Sequence, residues 1–494
     1  MKALVVYDSK HGNTEKSAQA IGEATGGQVL RVGEVNPADL KGFELVIVGS
    51  PTHGGFPTPE VDDLLKAAPA LEGVKIAAFD TRTKRTIFGY AAPRIARGLE
   101  RKGGSLVVPP EGFLVLGMQG PLKDGETERA EGWAKGIVSL EDGTLIADLE
   151  KQIPKLMEGA KVPGLSIAII KDAKLLWRRG FGVKDSASQE PVDNDTVFEP
   201  ASVSKTVFAY ATMKLCEKGA IGLDTPLIKY TSERFLEGDP RLELITARHV
   251  LSHTSGFQNW RSEEEPLKIH FTPGEKWSYS GEGYSYLQSV VTHLTGQVNP
   301  KDCEPYEAGL KVCATDIDSY MKANLLVPFG MAFSAYVWND TLTNYAAPHD
   351  AEGKPSAKRK PKATDAARYA AAGGLQTTPT DYARFLIEVI NPKASDAFRL
   401  NKDSLEEMLR PQVKISDSIS QALGWKIRHT EKGDYIIHGG GNPGFAAFVA
   451  ASVERQCGLV IMTNGDNGYL VIDKLLLGEI MHRFLGAKMP YPRG

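Results

Sequence analysis

Three stretches of this sequence combine residue types that can do covalent chemistry. In the first, Glu199-Pro200-Ala201-Ser202-Val203-Ser204-Lys205 leads into an apolar helical run, Thr206–Leu215. A serine three residues before a lysine at a helix start puts both side chains on one face. Ser202 gains the positive end of the helix dipole. A desolvated Lys205 loses its proton and can then take the one on Ser202, which activates the hydroxyl as a nucleophile. Alone, the pattern often arises by chance, and the plain alternative is a capping serine with a surface lysine. The second stretch is Trp277-Ser278-Tyr279-Ser280-Gly281-Glu282-Gly283-Tyr284. The third is His438-Gly439-Gly440-Gly441, between apolar strands expected at Tyr435–Ile437 and Phe445–Ala451. Glycines in such a strand let another backbone lie close against it.

A different chemistry is signalled near the start. Ser9-Lys10-His11-Gly12-Asn13-Thr14 follows a short apolar strand and opens a helix. Hydroxyls, a glycine and helix N-terminal amides suit a phosphate monoester. Ser50–Phe56 and Thr81–Tyr90 fall at the same edge of the expected sheet, and both carry aromatics able to flank a flat ring.

Two kinds of scaffold must hold these stretches. Up to residue 140, strands at Lys2–Tyr7, Leu45–Gly49, Lys75–Asp80, Leu106–Val108 and Phe113–Leu116 alternate with helices at Thr14–Ala24, Pro59–Ala68, Ala91–Arg101 and Glu126–Ile137. That alternation predicts a doubly wound parallel α/β sheet. Ser139–Thr144 reads as a polar break, giving domains 1–140 and 141–494. After the break come a helix at Leu145–Met157, paired strands at Leu165–Ile170 and Lys174–Gly182, a long helical region, and C-terminal strands. That order predicts an α+β domain, an antiparallel sheet flanked by helices. Lys354–Lys362 reads as a solvated basic loop.

Composition excludes several functions. The 494 residues carry 58 Lys+Arg against 61 Asp+Glu, a net charge of −3. No basic excess marks a nucleic-acid binder. Hydrophobic residues at 42% support folded cores rather than disorder. No apolar run approaches the roughly 18 residues a membrane span needs. The start lacks the pattern of a signal peptide, so as written the chain is expected in the cytoplasm. Of four cysteines, Cys216 and Cys457 read as buried hydrophobes. Cys303 and Cys313 bracket a polar segment and are as compatible with a loop disulfide as with free thiols. No second pair of ligands stands near them to make a zinc site.

Residues 1–140 resemble a flavodoxin domain, with His11 where a hydroxyl residue is more usual. The ring-flanking loops match less well, since Thr81–Tyr90 is basic where flavodoxins tend to be acidic. The resemblance implies FMN bound through Ser9, His11, Asn13 and Thr14. A scaffold without its flavin is the alternative.

From about 145 to 488 the order and flanks of the motifs resemble the serine β-lactamase and penicillin-binding family. The nearest branch is that of class C enzymes, D-aminopeptidases, DD-carboxypeptidases and family VIII esterases. Ser-x-x-Lys is a known signature of that superfamily. The resemblance implies Ser202 as nucleophile, Lys205 as its base and Tyr279 as the proton shuttle to the leaving group. It places His438 where many members carry a lysine. It also gives the Gly441 and Ser202 amides the oxyanion hole. Leu251–Gly256, with His253, is expected to be structural. Gly281 stands where β-lactamases carry an asparagine, and a neutral His438 removes a fixed charge for a carboxylate. Both departures point to small ester, amide or peptide substrates rather than efficient penicillin breakdown, with no cofactor for the hydrolysis. Glu282 and Trp277 either shape the pocket or are ordinary packing and surface charge. The other readings are an FMN redox module beside a binding domain, and a penicillin sensor that is acylated without turnover. Most relatives act outside the cytoplasm; an engineered fusion is one resolution of that conflict.

Overall fold

The structure is a computed structural model. It describes residues 2–84, 89–117, 119–231, 234–295, 304–305, 311–312, 314–336, 343–356 and 369–490. The chain divides into two compact units, Met1–Ala147 and Asp148–Gly494.

In the first unit the strands are β1 (Ala3–Tyr7), β2 (Gln28–Arg31), β3 (Leu45–Pro51), β4 (Lys75–Arg82), β5 (Ser105–Leu106) and β6 (Glu111–Leu114). All pair in parallel in the order β2-β1-β3-β4-β5, with β6 also on β4. The helices are α1 (Asn13–Thr25), α2 (Pro59–Ala67), α3 (Ala91–Glu100) and α4 (Glu126–Ala160). Both sheet faces are covered, which is why β3 reads as an unbroken apolar run. Val46, Val48, Ile76 and Ala78 pack with Val61 and Leu64 of α2 and Ile95 and Leu99 of α3. Leu45, Ile47, Ala77 and Phe79 pack with Ile21 of α1 and with Ala130, Ala134 and Ile137 of α4. The strand order reverses between β1 and β3, so their carboxyl ends open a crevice where Ser9–Thr14 lies. The polar edge strand β2 has no apolar run and is not expected from the sequence.

The expected polar break at Ser139–Thr144 is absent. Helix α4 runs through it, and the division between units falls after Ala147 rather than at residue 140. The segment contains no proline, and Gly143 alone costs only about 1 kcal/mol. The Thr144 hydroxyl donates to the Leu140 carbonyl at 2.9 Å, so its polarity is satisfied within the helix. A helix already nucleated on both sides propagates across such a stretch.

In the second unit, strands β7 (Gly164–Lys171), β8 (Lys174–Asp185), β9 (Glu190–Pro191), β10 (Val413–Ser416), β11 (Ile419–Gln421), β12 (Lys426–Thr430), β13 (Gly433–Asn442), β14 (Phe445–Ser452) and β15 (Cys457–Thr463) form one sheet. Its order is β10-β11-β12-β13-β14-β15-β7-β8-β9, antiparallel throughout. The β15–β7 pairing joins the two ends of the unit, so the helical middle is held by strands from both. That middle supplies α5 (Ser204–Glu217), α6 (Gly281–Leu294) and α7 (Pro379–Ile390). Their apolar residues, such as Val207, Val290 and Phe385, share one core with Val449, Val460 and Ala168 of the sheet.

The Cys216 thiol is pushed up to about 12 by burial, and Cys457 is buried too, in keeping with hydrophobic roles. Cys303 and Cys313 lie outside the described residues, as does most of the 354–362 loop. Among the described residues no helix is long and apolar enough to cross a membrane. None of them cluster as a set of metal-binding side chains.

Within the second unit α4 buries Leu149, Ile153 and Met157, spaced by four residues on one face. Ile153→Ala is expected to lower stability by about 2–4 kcal/mol, read as a shift in the denaturant midpoint. An unshifted midpoint would place this face in solvent.

Candidate active site

Ser202 sits in a single tight turn, Ala201–Val203, that runs straight into α5. Ala201 holds φ at +49°, a left-handed conformation that a non-glycine residue adopts at a cost. The turn is braced by Ser204, whose hydroxyl donates to the Ala201 carbonyl at 2.5 Å and accepts from the Leu375 amide at 3.0 Å. Strand β13 passes against the same turn. A Cβ at Gly440 would stand 2.0 Å from the Pro200 carbonyl oxygen and 3.1 Å from the Ser202 amide nitrogen. Only glycine permits that approach. The β12 ladder stops at the Lys426–Ile437 pair, so only β14 flanks His438–Asn442 in the sheet.

Lys205 lies one helical turn on and is fully buried. Its Nζ is 3.2 Å from Ser202 Oγ and donates to the Ala372 carbonyl at 2.5 Å. The ring centres of Tyr279, Tyr284 and Trp260 lie 5.0, 5.4 and 6.0 Å from it. No acid offsets its desolvation among the described residues. Burial therefore pushes the amine down to about 7.

His438 is 4% exposed, and its Nδ1 donates to its neighbour's carbonyl, Gly439 O, at 2.7 Å. A carbonyl only accepts, so the neutral ring carries its proton on Nδ1 and leaves Nε2 as an acceptor. Burial, then the nearby Lys205 and Lys426, push His438 down to about 3.

His253 is the scaffold that the sequence leads one to expect, and it does more than fill space. It holds φ at +56°. Its carbonyl accepts from the Ser278 amide at 2.8 Å, and its Nδ1 accepts from the Ser280 amide at 3.1 Å. Its ring lies 4.3 Å from that of Tyr279. One buried histidine thus fixes the backbone on both sides of the tyrosine.

Glu282 is no surface charge: it is fully buried and binds the Arg261 guanidinium at 2.9 and 2.7 Å. This pair fixes the loop bearing Trp260. A Cβ at Gly281 would stand 2.3 Å from Trp260 Cη2, so the indole occupies the room an asparagine side chain would need. Trp277 is fixed from the sheet, its Nε1 donating to Gln421 Oε1 at 3.3 Å. The sequence reading missed Trp260 and Lys426. Neither belongs to a motif, and only the fold brings them to the site.

In the first unit the phosphate-type loop is formed. Gly12 holds φ at +78° and caps α1. Ser9 Oγ is buried without a hydrogen-bond partner among the described residues. An orphaned hydroxyl beside helix N-terminal amides fits a phosphate. The Thr14 hydroxyl pairs with that of Thr81 at 2.7 Å. The Asn13 side chain is spent on the chain itself, donating to Gly120 O at 2.6 Å and accepting from the Leu122 amide at 3.1 Å. His11 is exposed. Guanidinium groups lie 3.8 Å from the ring centres of Phe56 and Tyr90, from Arg94 and Arg82 respectively.

Removing one partner of a buried ion pair strands the other charge. Arg261→Met is expected to destabilise the second unit by about 3–5 kcal/mol, measured by denaturant unfolding. A loss under about 1 kcal/mol would mean that Glu282 is not held as a buried ion.

Comparison with known proteins agrees with this geometry. Residues 149–479 match the family model described as Beta-lactamase, and residues 5–133 match the one described as Flavodoxin. Penicillin-binding protein 4* of Bacillus subtilis is 25% identical over 59% of this chain, and Protein flp of Staphylococcus aureus is 22% identical over 66% of it. The chain spans 65% of the length of each. Among solved structures, an octameric penicillin-binding protein homologue from Pyrococcus abyssi aligns with TM-score 0.55 and 22% identity, covering 69% of this chain and 78% of that one. A β-lactamase/D-alanine carboxypeptidase from Pseudomonas syringae aligns with TM-score 0.57 and 19% identity, covering 70% of this chain and 100% of that one. A flavodoxin-like unit precedes it, and by its second unit the chain belongs to the β-lactamase family of the serine hydrolase superfamily.

Proposed function

We propose that the second unit hydrolyses small ester, amide or peptide substrates through an acyl-Ser202 intermediate. The observation that carries the reading is the contact of a buried Lys205, with no acid beside it among the described residues, with Ser202 Oγ at 3.2 Å. A neutral amine keeps one N–H on Ala372 O and turns its lone pair to the serine O–H. As Ser202 Oγ bonds the substrate carbonyl carbon, its proton passes to Lys205 Nζ. The oxyanion is held by the Ser202 and Gly441 amides. Tyr279 hands its proton to the departing oxygen or nitrogen and regains one from Lys205 Nζ, which returns to the neutral amine, and water then releases the acid from Ser202.

The indole of Trp260 shapes the preference. Where the family's asparagine would hold a substrate amide, this site presents an apolar wall. That supports acyl groups without a side-chain amide, in esters above all. Carboxylesterase, D-peptidase and weak β-lactamase activities fall within this class.

Ser202→Ala is expected to cut turnover of p-nitrophenyl acetate by about four orders of magnitude or more, with the fold kept by circular dichroism. The active form has Lys205 neutral. Hence log kcat/KM should rise with unit slope below a pH of about 7 and flatten above it. Full activity in Ser202→Ala would end the reading. A rate that falls as pH rises through 7 would give the base role to another group.

For the first unit we infer an FMN phosphate site, supported by the orphaned Ser9 hydroxyl. Ser9 Oγ and the amides of His11–Thr14 would hold the phosphate, with Asn13 contributing its backbone alone. Bound flavin would supply electron transfer. The purified protein is expected to quench added FMN fluorescence, and Ser9→Ala to weaken that binding about tenfold. Unquenched FMN would leave this unit a scaffold, with no bearing on the hydrolase.

A further inference from the structure

An oxyanion hole needs two N–H groups at a set separation, and here they belong to different elements. The Ser202 amide sits in the turn Ala201–Val203, and the Gly441 amide sits near the end of β13. Asn442 and Phe445 are the last pair between β13 and β14, joined by Pro443-Gly444 with Gly444 at φ +79°. A two-residue loop makes this the hydrogen-bonded closing pair. Alternation along the ladder then turns the Gly441 amide away from β14, to the open edge of the sheet. The β12 ladder stops at Lys426–Ile437, so β12 does not hold that edge in place.

A carboxylate does so instead. Glu199 stands three residues before Ser202. Its Oε2 accepts from Asn442 Nδ2 at 3.0 Å, and its Oε1 accepts from the Tyr345 hydroxyl. Tyr345 is fixed in turn by the chain leading to Glu199. The Val197 amide donates to the Asn344 carbonyl, and the Ala346 amide donates to the Val197 carbonyl, both at 2.9 Å. The Tyr345 ring lies 6.1 Å from that of Phe445, at the start of β14. Burial, then the Glu199 carboxylate, push the Tyr345 phenol well above its ordinary value, so it remains a donor.

We propose that Glu199 is a positioning residue that sets the width of the oxyanion hole, by tying Asn442, and through it the Gly441 amide, to the turn that carries the Ser202 amide. Gly441 is held from both sides. Gly440 packs on the Pro200 carbonyl, and Asn442 is bonded to Glu199. Glu199 and Pro200 are consecutive residues, so both contacts refer the strand edge to one piece of chain just before the nucleophile. The use of these two amides rests on the acyl-Ser202 reading.

Asn442→Asp sets a carboxylate against that of Glu199 and is expected to lower kcat/KM for p-nitrophenyl acetate about ten- to a hundredfold. In Glu199→Gln/Asn442→Asp the introduced amide donates to the introduced carboxylate, while its oxygen still accepts from Tyr345. Most of the loss should then be recovered. An Asn442 that acted on substrate itself would not be rescued, and that result overturns the proposal. A second readout needs no turnover. Boron of phenylboronic acid bonds Ser202 Oγ as the hydroxyl proton passes to Lys205 Nζ, and the tetrahedral anion places an oxygen in the oxyanion hole. By calorimetry on folded protein, its affinity should fall by a like factor in Asn442→Asp and in Glu199→Leu, and return in the double variant. A merely structural pair would lower the denaturant midpoint and leave this affinity unchanged. That outcome overturns the proposal, as does a wild type that binds no boronate. If the wild type binds the boronate with this pattern but does not cleave the ester, the hydrolase reading fails and the positioning role stands.

Discussion

Lys205 is a fully buried amine with no acid beside it among the described residues to keep it charged. One N–H is met by the Ala372 carbonyl at 2.5 Å, and the remaining direction faces Ser202. Three aromatic rings close the rest of the shell. Such a shell disfavours the ammonium and favours the neutral base, which is the form that removes a proton from serine. The same burial demands that Ser202 come to the lysine. The left-handed Ala201 and the glycine at 440 are what that approach requires.

Around this pair, backbone position is set by groups that do no chemistry. His253 accepts both a backbone and a ring hydrogen bond from the Tyr279 segment. The Arg261–Glu282 pair fixes the loop that lays Trp260 over Lys205. Buried ion pairs contribute little net stability, but they define a single geometry when both partners are satisfied. Here the geometry defined is that of the wall beside the nucleophile.

Much of this was legible in the sequence. The central parallel strands β1, β3 and β4 of the first unit are buried on both faces, so they appear as apolar runs of strand length. Ser202 and Lys205 stand out because a three-residue spacing at a helix start puts both on one face, whereas Tyr279 and His438 stand out only through resemblance to the family's motifs. The fold brings Lys205 to Ser202 and to the ring of Tyr279. What failed to show depends on tertiary context. The polar stretch 139–144 is helical because α4 is held at both ends. β2 is a polar edge strand whose pairing, not composition, makes it a strand. Trp260 and Lys426 sit outside every motif, and Glu282 reads as surface charge until its arginine partner is seen.

Those last three residues explain the two departures from the family's motifs. Gly281 is not simply a missing asparagine, since the indole of Trp260 fills the space and a Cβ there would collide with it. At His438 the neighbouring strand begins with Lys426, paired with Ile437 and 5.9 Å from the Tyr279 ring centre. In each case a motif position became smaller or neutral, and a residue from another element occupies its place. Beside Gly281 that residue is an apolar wall, the Trp260 indole. Burial first, then Lys205 and Lys426, keeps His438 neutral, which leaves its Nε2 as an acceptor.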